Sequence, residues 1–162
     1  MQRPPRRRGE RLLDAGLLLR SYAFLGILEA AGAMAAFFAV LVGAGWSPGD
    51  ALSSNDPLYL RATTACLATV VVMQVANVFL CRDDRAPLAS RGLFENPLLL
   101  AGVGAELLLL VLIVYTSPGH AAFGTTPLRA GDWLATLPLA LLLLGAEELR
   151  KAIARRSPKP PR

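Results

Sequence analysis

Nineteen consecutive residues, Pro97 to Tyr115 (PLLLAGVGAELLLLVLIVY), carry a single ionisable side chain, Glu106. At ~1.5 Å per residue, a helix of that length spans the roughly 30 Å hydrocarbon core of a bilayer. A run of this kind does not suit a water-soluble domain, whose helices alternate apolar and polar faces. Glu106 has nine residues of the run before it and nine after it. A carboxylate at the centre of a span is costly and faces a protein interior or an ion path. Two roles stay open for it: a charge on an ion path, or a protonated acid that hydrogen-bonds a neighbouring helix.

Three further apolar runs accompany it, and 54% of the 162 residues are hydrophobic. The pattern predicts an all-α polytopic membrane protein, a bundle of four transmembrane helices. The expected spans are about residues 22–42, 62–80, 97–115 and 133–153, within a membrane domain over 21–154. Residues 1–20 read as a basic lead-in in which Pro4-Pro5 excludes a regular helix, and 155–162 as a disordered basic tail. The first apolar run is too long for a signal peptide. The last has only fourteen strongly apolar residues, WLATLPLALLLLGA. It reaches spanning length by continuing through EELRKAIARR, with Lys and Arg side chains snorkelling to the interface. Pro138 is expected to kink it.

Small residues on the first span (Gly26, Ala30, Gly32, Ala33, Ala36) allow close helix approach in lipid. The same span carries an acid, Glu29. On the second span Gln74 and Asn77 are three apart and share a face. Two amides on one face inside a bilayer need partners, which either other helices or a ligand can supply. Gln74 lies about 9 Å from the Leu80 end of its helix and Asn77 about half that, with Glu106 several ångströms deeper. These groups form one site only if their helices are adjacent and tilted.

Cys66 and Cys81 are fifteen residues apart on one predicted helix. That is about 22 Å, beyond disulfide reach. The lone histidine, His120, falls in a predicted loop and reads as solvated, since zinc needs three or four ligands. No dedicated transition-metal site is expected. The net charge of +5 sits at the chain ends and in one loop. Membrane topology explains it better than nucleic-acid binding. Five arginines open the chain with Arg20 at the edge of the first span, three (Arg82, Arg85, Arg91) lie in the middle loop and six basic residues end the chain. The other two loops hold only Arg61 and Arg129. The positive-inside rule then places both termini in the cytoplasm of a plasma (inner) membrane.

No phosphate-binding loop, zinc pair, nucleophile elbow or dinucleotide fingerprint is present in the sequence. The available chemistry is ion coordination or proton carriage. Glu106 offers charge, Gln74 and Asn77 offer neutral oxygens, and Glu29 is a possible second intramembrane acid; such ligands suit hard cations.

Four stretches resemble type II P-type cation-transporting ATPases, in order along nearly the whole chain. MQRPPR with RLLDAGLLLR is similar to the loop after the sixth membrane helix, and VVVMQVANVFLCRDDR to the eighth helix and its cytoplasmic exit. ENPLLL through GAEL to YTSPG resembles the ninth, and LPLALLLLGAEELRKAIARR the tenth. The resemblance implies the C-terminal membrane region of such a pump, helices seven to ten, supporting and partly lining the cation path. It further implies a split product, a truncated product or an excised domain, inactive alone. ATP and Mg2+ would bind the missing N-terminal portion, whose remaining helices and cytoplasmic domains would be the partner, beside lipid and the transported cation. Gln74 falls where sodium/potassium pumps have glutamine and calcium pumps glutamate. Asn77 falls where calcium pumps have asparagine and sodium/potassium pumps aspartate. Glu106 matches an acidic ninth-helix position of the sodium/potassium type. The mixture leaves the ion open. Two other readings remain: a stand-alone proton-coupled exporter of cationic drugs, using Glu29 or Glu106 across a homodimer, and a structural membrane subunit.

Overall fold

The computed structural model describes residues 19–81 and 95–156. Most of the basic lead-in, the arginine-rich middle loop and the last six residues lie outside them. The described residues are helical without strands. A π-helical segment, Leu19–Leu25, runs into α1 (Gly26–Gly43); α2 is Pro57–Leu80, α3 Pro97–Tyr115, α4 Ser117–Phe123 and α5 Ala130–Arg156. Four of these helices are long and apolar enough to cross a membrane.

Local chemistry sets the helix starts. Asp56 and Asn96 accept backbone N–H groups of the first turns of α2 and α3, and each precedes a proline at the first helical position. Those caps satisfy donors that the helix leaves unpaired, and proline lacks the donor that would go unsatisfied there. This start signal moves the second helix forward of the expected residue 62. Leu58 to Arg61, read as loop, are helical. The loop expected over Thr116–Asp132 also holds structure: Thr116 caps the short α4, which closes on Gly124 at φ +62°. The left-handed conformation there favours glycine. The last helix is longer than expected, beginning at Ala130 and including Arg155 and Arg156, which the tail had claimed. Pro138 lies inside it without dividing it.

α2 is the central helix, packed against both α1 and α5, which also meet each other. Two apolar clusters hold the bundle, one at each end. The first joins Val40 and Leu41 of α1, Ala62, Ala65 and Ala68 of α2, Leu110 and Val114 of α3, and Leu128. The second joins Leu25, Met73, Ala76 and Leu80 with Ala140 and Leu143 of α5. The start of α1, the end of α2 and the far half of α5 therefore share one end of the bundle. Alanines dominate α2's contacts because small side chains bring helix axes close enough for dispersion to replace the hydrophobic effect that lipid does not supply. α3 is peripheral. Only 11% of its span is buried, and its neighbours are α2 and α4.

Candidate functional site

The first polar cluster forms where α1 and α2 cross near the end shared by Leu25 and Leu80. Glu29 Oε2 accepts a hydrogen bond from Gln74 Nε2 at 2.9 Å, and Oε1 accepts one from Asn77 Nδ2 at 3.0 Å. The spacing of three on α2 puts both amides over one carboxylate. One turn on, the Cys81 thiol donates to Asn77 Oδ1 at 3.2 Å. Glu29 and Asn77 are half-buried, whereas Gln74 is exposed. The second span thus finds its polar partner on the first, through the acid that the sequence offered only as a secondary candidate.

Glu106 stands apart from this cluster. It makes no hydrogen bond or ion pair among the described residues. Its placement is still directional. Leu99, Leu100, Val103, Glu106, Leu110, Ile113 and Val114 are the less exposed residues along α3, spaced to form one stripe. Leu110 and Val114 of that stripe enter the apolar cluster with α2. Glu106 therefore lies on the bundle side of α3.

Sequence reasoning missed three polar contacts that cross the bundle. Arg61 on α2 grips Asp132 on α5 with Nε to Oδ2 at 2.9 Å and Nη2 to Oδ1 at 2.7 Å. The backbone N–H of Arg129 adds a third bond to Asp132 at 2.8 Å. Both charged residues had been assigned to loops, so nothing in their local sequence paired them. Midway along, the hydroxyls of Thr69 and Thr136 lie 3.2 Å apart, both fully buried. At the other end, Lys151 is buried and donates to the Leu80 carbonyl at 3.1 Å, beside Glu148 at 3.4 Å. Its ammonium meets the negative end of α2's dipole. Only the acidic-basic string EELRK hinted at this. Neighbouring Glu147, also buried, holds Arg150 through two bonds of 2.7 and 2.8 Å. His120, expected in solvent, lies in α4 with Nε2 2.8 Å from the Val114 carbonyl oxygen, which only a protonated nitrogen can satisfy. No group of three or more His, Cys, Asp or Glu side chains that could hold a metal ion occurs among the described residues.

The arrangement offers one carboxylate with two rotatable amides, and a second carboxylate on a neighbouring helix. That is a toolkit for protons or hard cations. The pattern described as "Cation transporting ATPase, C-terminus" matches residues 1–153. The chain is 26% identical to the rabbit (Oryctolagus cuniculus) potassium-transporting ATPase alpha chain 2, over 98% of its own length and 17% of that protein's. It is 27% identical to the chicken (Gallus gallus) sodium/potassium-transporting ATPase subunit alpha-2 and 26% to the rat (Rattus norvegicus) alpha-3 subunit, covering 98% of itself and 18% of each. The chain thus spans under a fifth of the length of the curated relatives it matches. With four helices long and apolar enough to span a bilayer and a family pattern over nearly all its residues, the chain is a multi-pass membrane domain that belongs to the cation-transporting ATPase C-terminus family.

Proposed function

We propose that, joined to the rest of a pump, this domain partly lines the cation path with Gln74, Asn77 and Glu106, and braces the helices that carry the other ligands. The observation that carries the reading is the convergence of Glu29, Gln74 and Asn77 inside two spans, where polar groups are expensive. Turning either amide over exchanges its N–H for an oxygen, so the same side chains can bond the carboxylate or face an ion. Glu106 on the bundle side of α3 supplies charge to a path between α2 and α3. The total of one or two carboxylates with neutral oxygens suits a singly charged cation, in keeping with relatives named for sodium and potassium transport. ATP and Mg2+ would be bound by the other domains of the pump, the partner of this one. We further propose a plasma-membrane location with both chain termini in the cytoplasm, which puts the Leu80 and Lys151 end on the cytoplasmic side. No observation favours the drug exporter or the structural subunit.

The test is cation-dependent ATPase activity of the reassembled pump across pH. Glu106→Gln removes a charge at nearly constant volume and is expected to weaken apparent cation affinity or displace its pH dependence. Asn77→Ala, which removes one neutral oxygen, is expected to do less. If Glu106→Gln leaves both unchanged while Glu106→Leu fails to insert, the carboxylate is a packing element and the path does not run past it.

A further inference from the structure

At the end of the bundle away from Leu80, α1 and α5 leave a recess of about 280 Å³ between them. Small residues line it, among them Ala39 and Gly43 of α1 and Gly131 of α5, together with the charged Arg61, Arg129 and Asp132. Asp132 is the one acid there, and Arg61 already holds both its carboxylate oxygens. Two positive charges against one negative leave a surplus of one, and it belongs to Arg129. That residue is exposed, and only its backbone N–H is engaged among the described residues, on Asp132. Asp50 and Asp56, the other acids of this end, do not line the recess; they accept the backbone N–H groups of Ser47 and Leu58.

The recess lies at the depth of lipid headgroups. Gly43 ends α1, Asp132 is in the first turn of α5 and Arg61 in the second of α2, so the charges stand within about 6 Å of the helix ends. Trp46, Tyr59, Tyr115 and Trp133 gather at the same end. Tryptophan and tyrosine collect where hydrocarbon meets water. Ala39 is one turn deeper than Gly43, so the recess extends from the charges toward the hydrocarbon. Val42 and Leu134, which neighbour its lining residues in sequence, are apolar and exposed.

We propose that this recess binds an anionic phospholipid, with the lipid phosphate on the Arg129 guanidinium and the upper acyl carbons against the small residues between α1 and α5. A guanidinium presents paired N–H groups that match phosphate oxygens. Arg61 stays on Asp132 and keeps that carboxylate from repelling the phosphate. Pockets that enclose drug-sized ligands begin near ~300 Å³. A smaller recess flanked by exposed apolar side chains suits a headgroup whose chains remain in the bilayer, rather than a whole soluble anion. In the proposed orientation the lipid belongs to the leaflet away from the cytoplasm. Glu29, Gln74, Asn77 and Glu106 do not line the recess, so the proposal stands apart from the cation path.

The test counts what the full chain retains when it is released from detergent in native mass spectrometry, after titration with phosphatidylglycerol, phosphatidylcholine or inorganic phosphate. One phosphatidylglycerol is expected to saturate at a lower concentration than phosphatidylcholine. Arg129→Gln should raise its half-saturation roughly tenfold, the worth of one charge-assisted hydrogen bond, and Arg129→Lys should raise it less. Gly43→Leu fills the recess without altering a charge and should raise it too; a Cβ at Gly43 meets nothing within 4 Å, so the side chain enters open space. Arg156→Gln removes the same charge from the other end of α5 and should change nothing. Circular dichroism checks that each variant stays helical, and Gly131→Leu, equally open, replaces Gly43→Leu if that variant does not fold. Half-saturation unmoved in Arg129→Gln, or moved as far in Arg156→Gln, overturns the site. Equal retention of the two lipids overturns the selection of charge. A retained mass of phosphate in place of lipid assigns the recess to a soluble anion, and a mass of two chains that excludes the lipid assigns it to a second copy; either overturns the lipid.

Discussion

Two glycines show how differently the same substitution acts at residue scale. A methyl group on Gly119 would stand 2.5 Å from the carbonyl oxygens of both Leu112 and Ile113. Backbone cannot yield there, because the same α3–α4 corner is tied by Thr125 Oγ1 on the Ile113 carbonyl and His120 on that of Val114. A methyl on Gly32 would stand 2.7 Å from Met73 Sδ and 3.0 Å from its terminal carbon, the far end of a flexible side chain. Gly119→Ala is therefore expected to cost roughly 1–3 kcal/mol and Gly32→Ala much less. Thermal unfolding of the two variants in one detergent checks the order; equal midpoints would show that the corner relaxes.

At the scale of elements, α2 is tied to α5 at three levels: Arg61–Asp132, Thr69–Thr136 and the Lys151 cap on Leu80. The pairs set register where an apolar interface of alanine and leucine would slide. Asp132 is 4% exposed and Arg61 21%, so the pair is largely withdrawn from water and depends on its two-point geometry. Asp132→Ala leaves the guanidinium facing an apolar seam and is expected to destabilise by about 3 kcal/mol. The double change Arg61→Met with Asp132→Leu should recover much of that loss, since no charge is then stranded. A double-mutant cycle on unfolding free energies measures the coupling. Additive single effects would show that the contact adds nothing.

At the scale of the whole molecule, the antiparallel order puts the loops after α1 and α3 at one end and the start of α1 with the ends of α2 and α5 at the other. Which end faces the cytoplasm follows, in our proposal, from the arginine distribution. Engineered cysteines near Ser54 and Thr125 should react with an impermeant reagent added outside, while one at Arg85 should react only after the membrane is opened. Outside labelling at Arg85 would invert the topology. Because α3 buries so little of its span against the other helices, its outer face is left to lipid or to the rest of a pump. Glu106 is turned away from that face, toward the bundle.

The number of spans, their approximate places and the family were legible in the sequence, because a bilayer imposes a length and an apolar content that any spanning helix must show. So was the shared face of Gln74 and Asn77, a property of helical spacing alone. Helix starts were less so, since a proline after a polar cap resembles a loop until the turn that follows is seen to close. The partner of those amides was not legible. Glu29 lies 45 residues from Gln74 and 48 from Asn77, and only the crossing of α1 over α2 brings them together, while Glu106 on α3 has no hydrogen bond among the described residues. Likewise Arg61 and Asp132, 71 residues apart, became partners only when two helix starts met at one end of the bundle. The bilayer fixes which segments cross it; packing between those segments, which few apolar positions distinguish, decides which polar residues face each other.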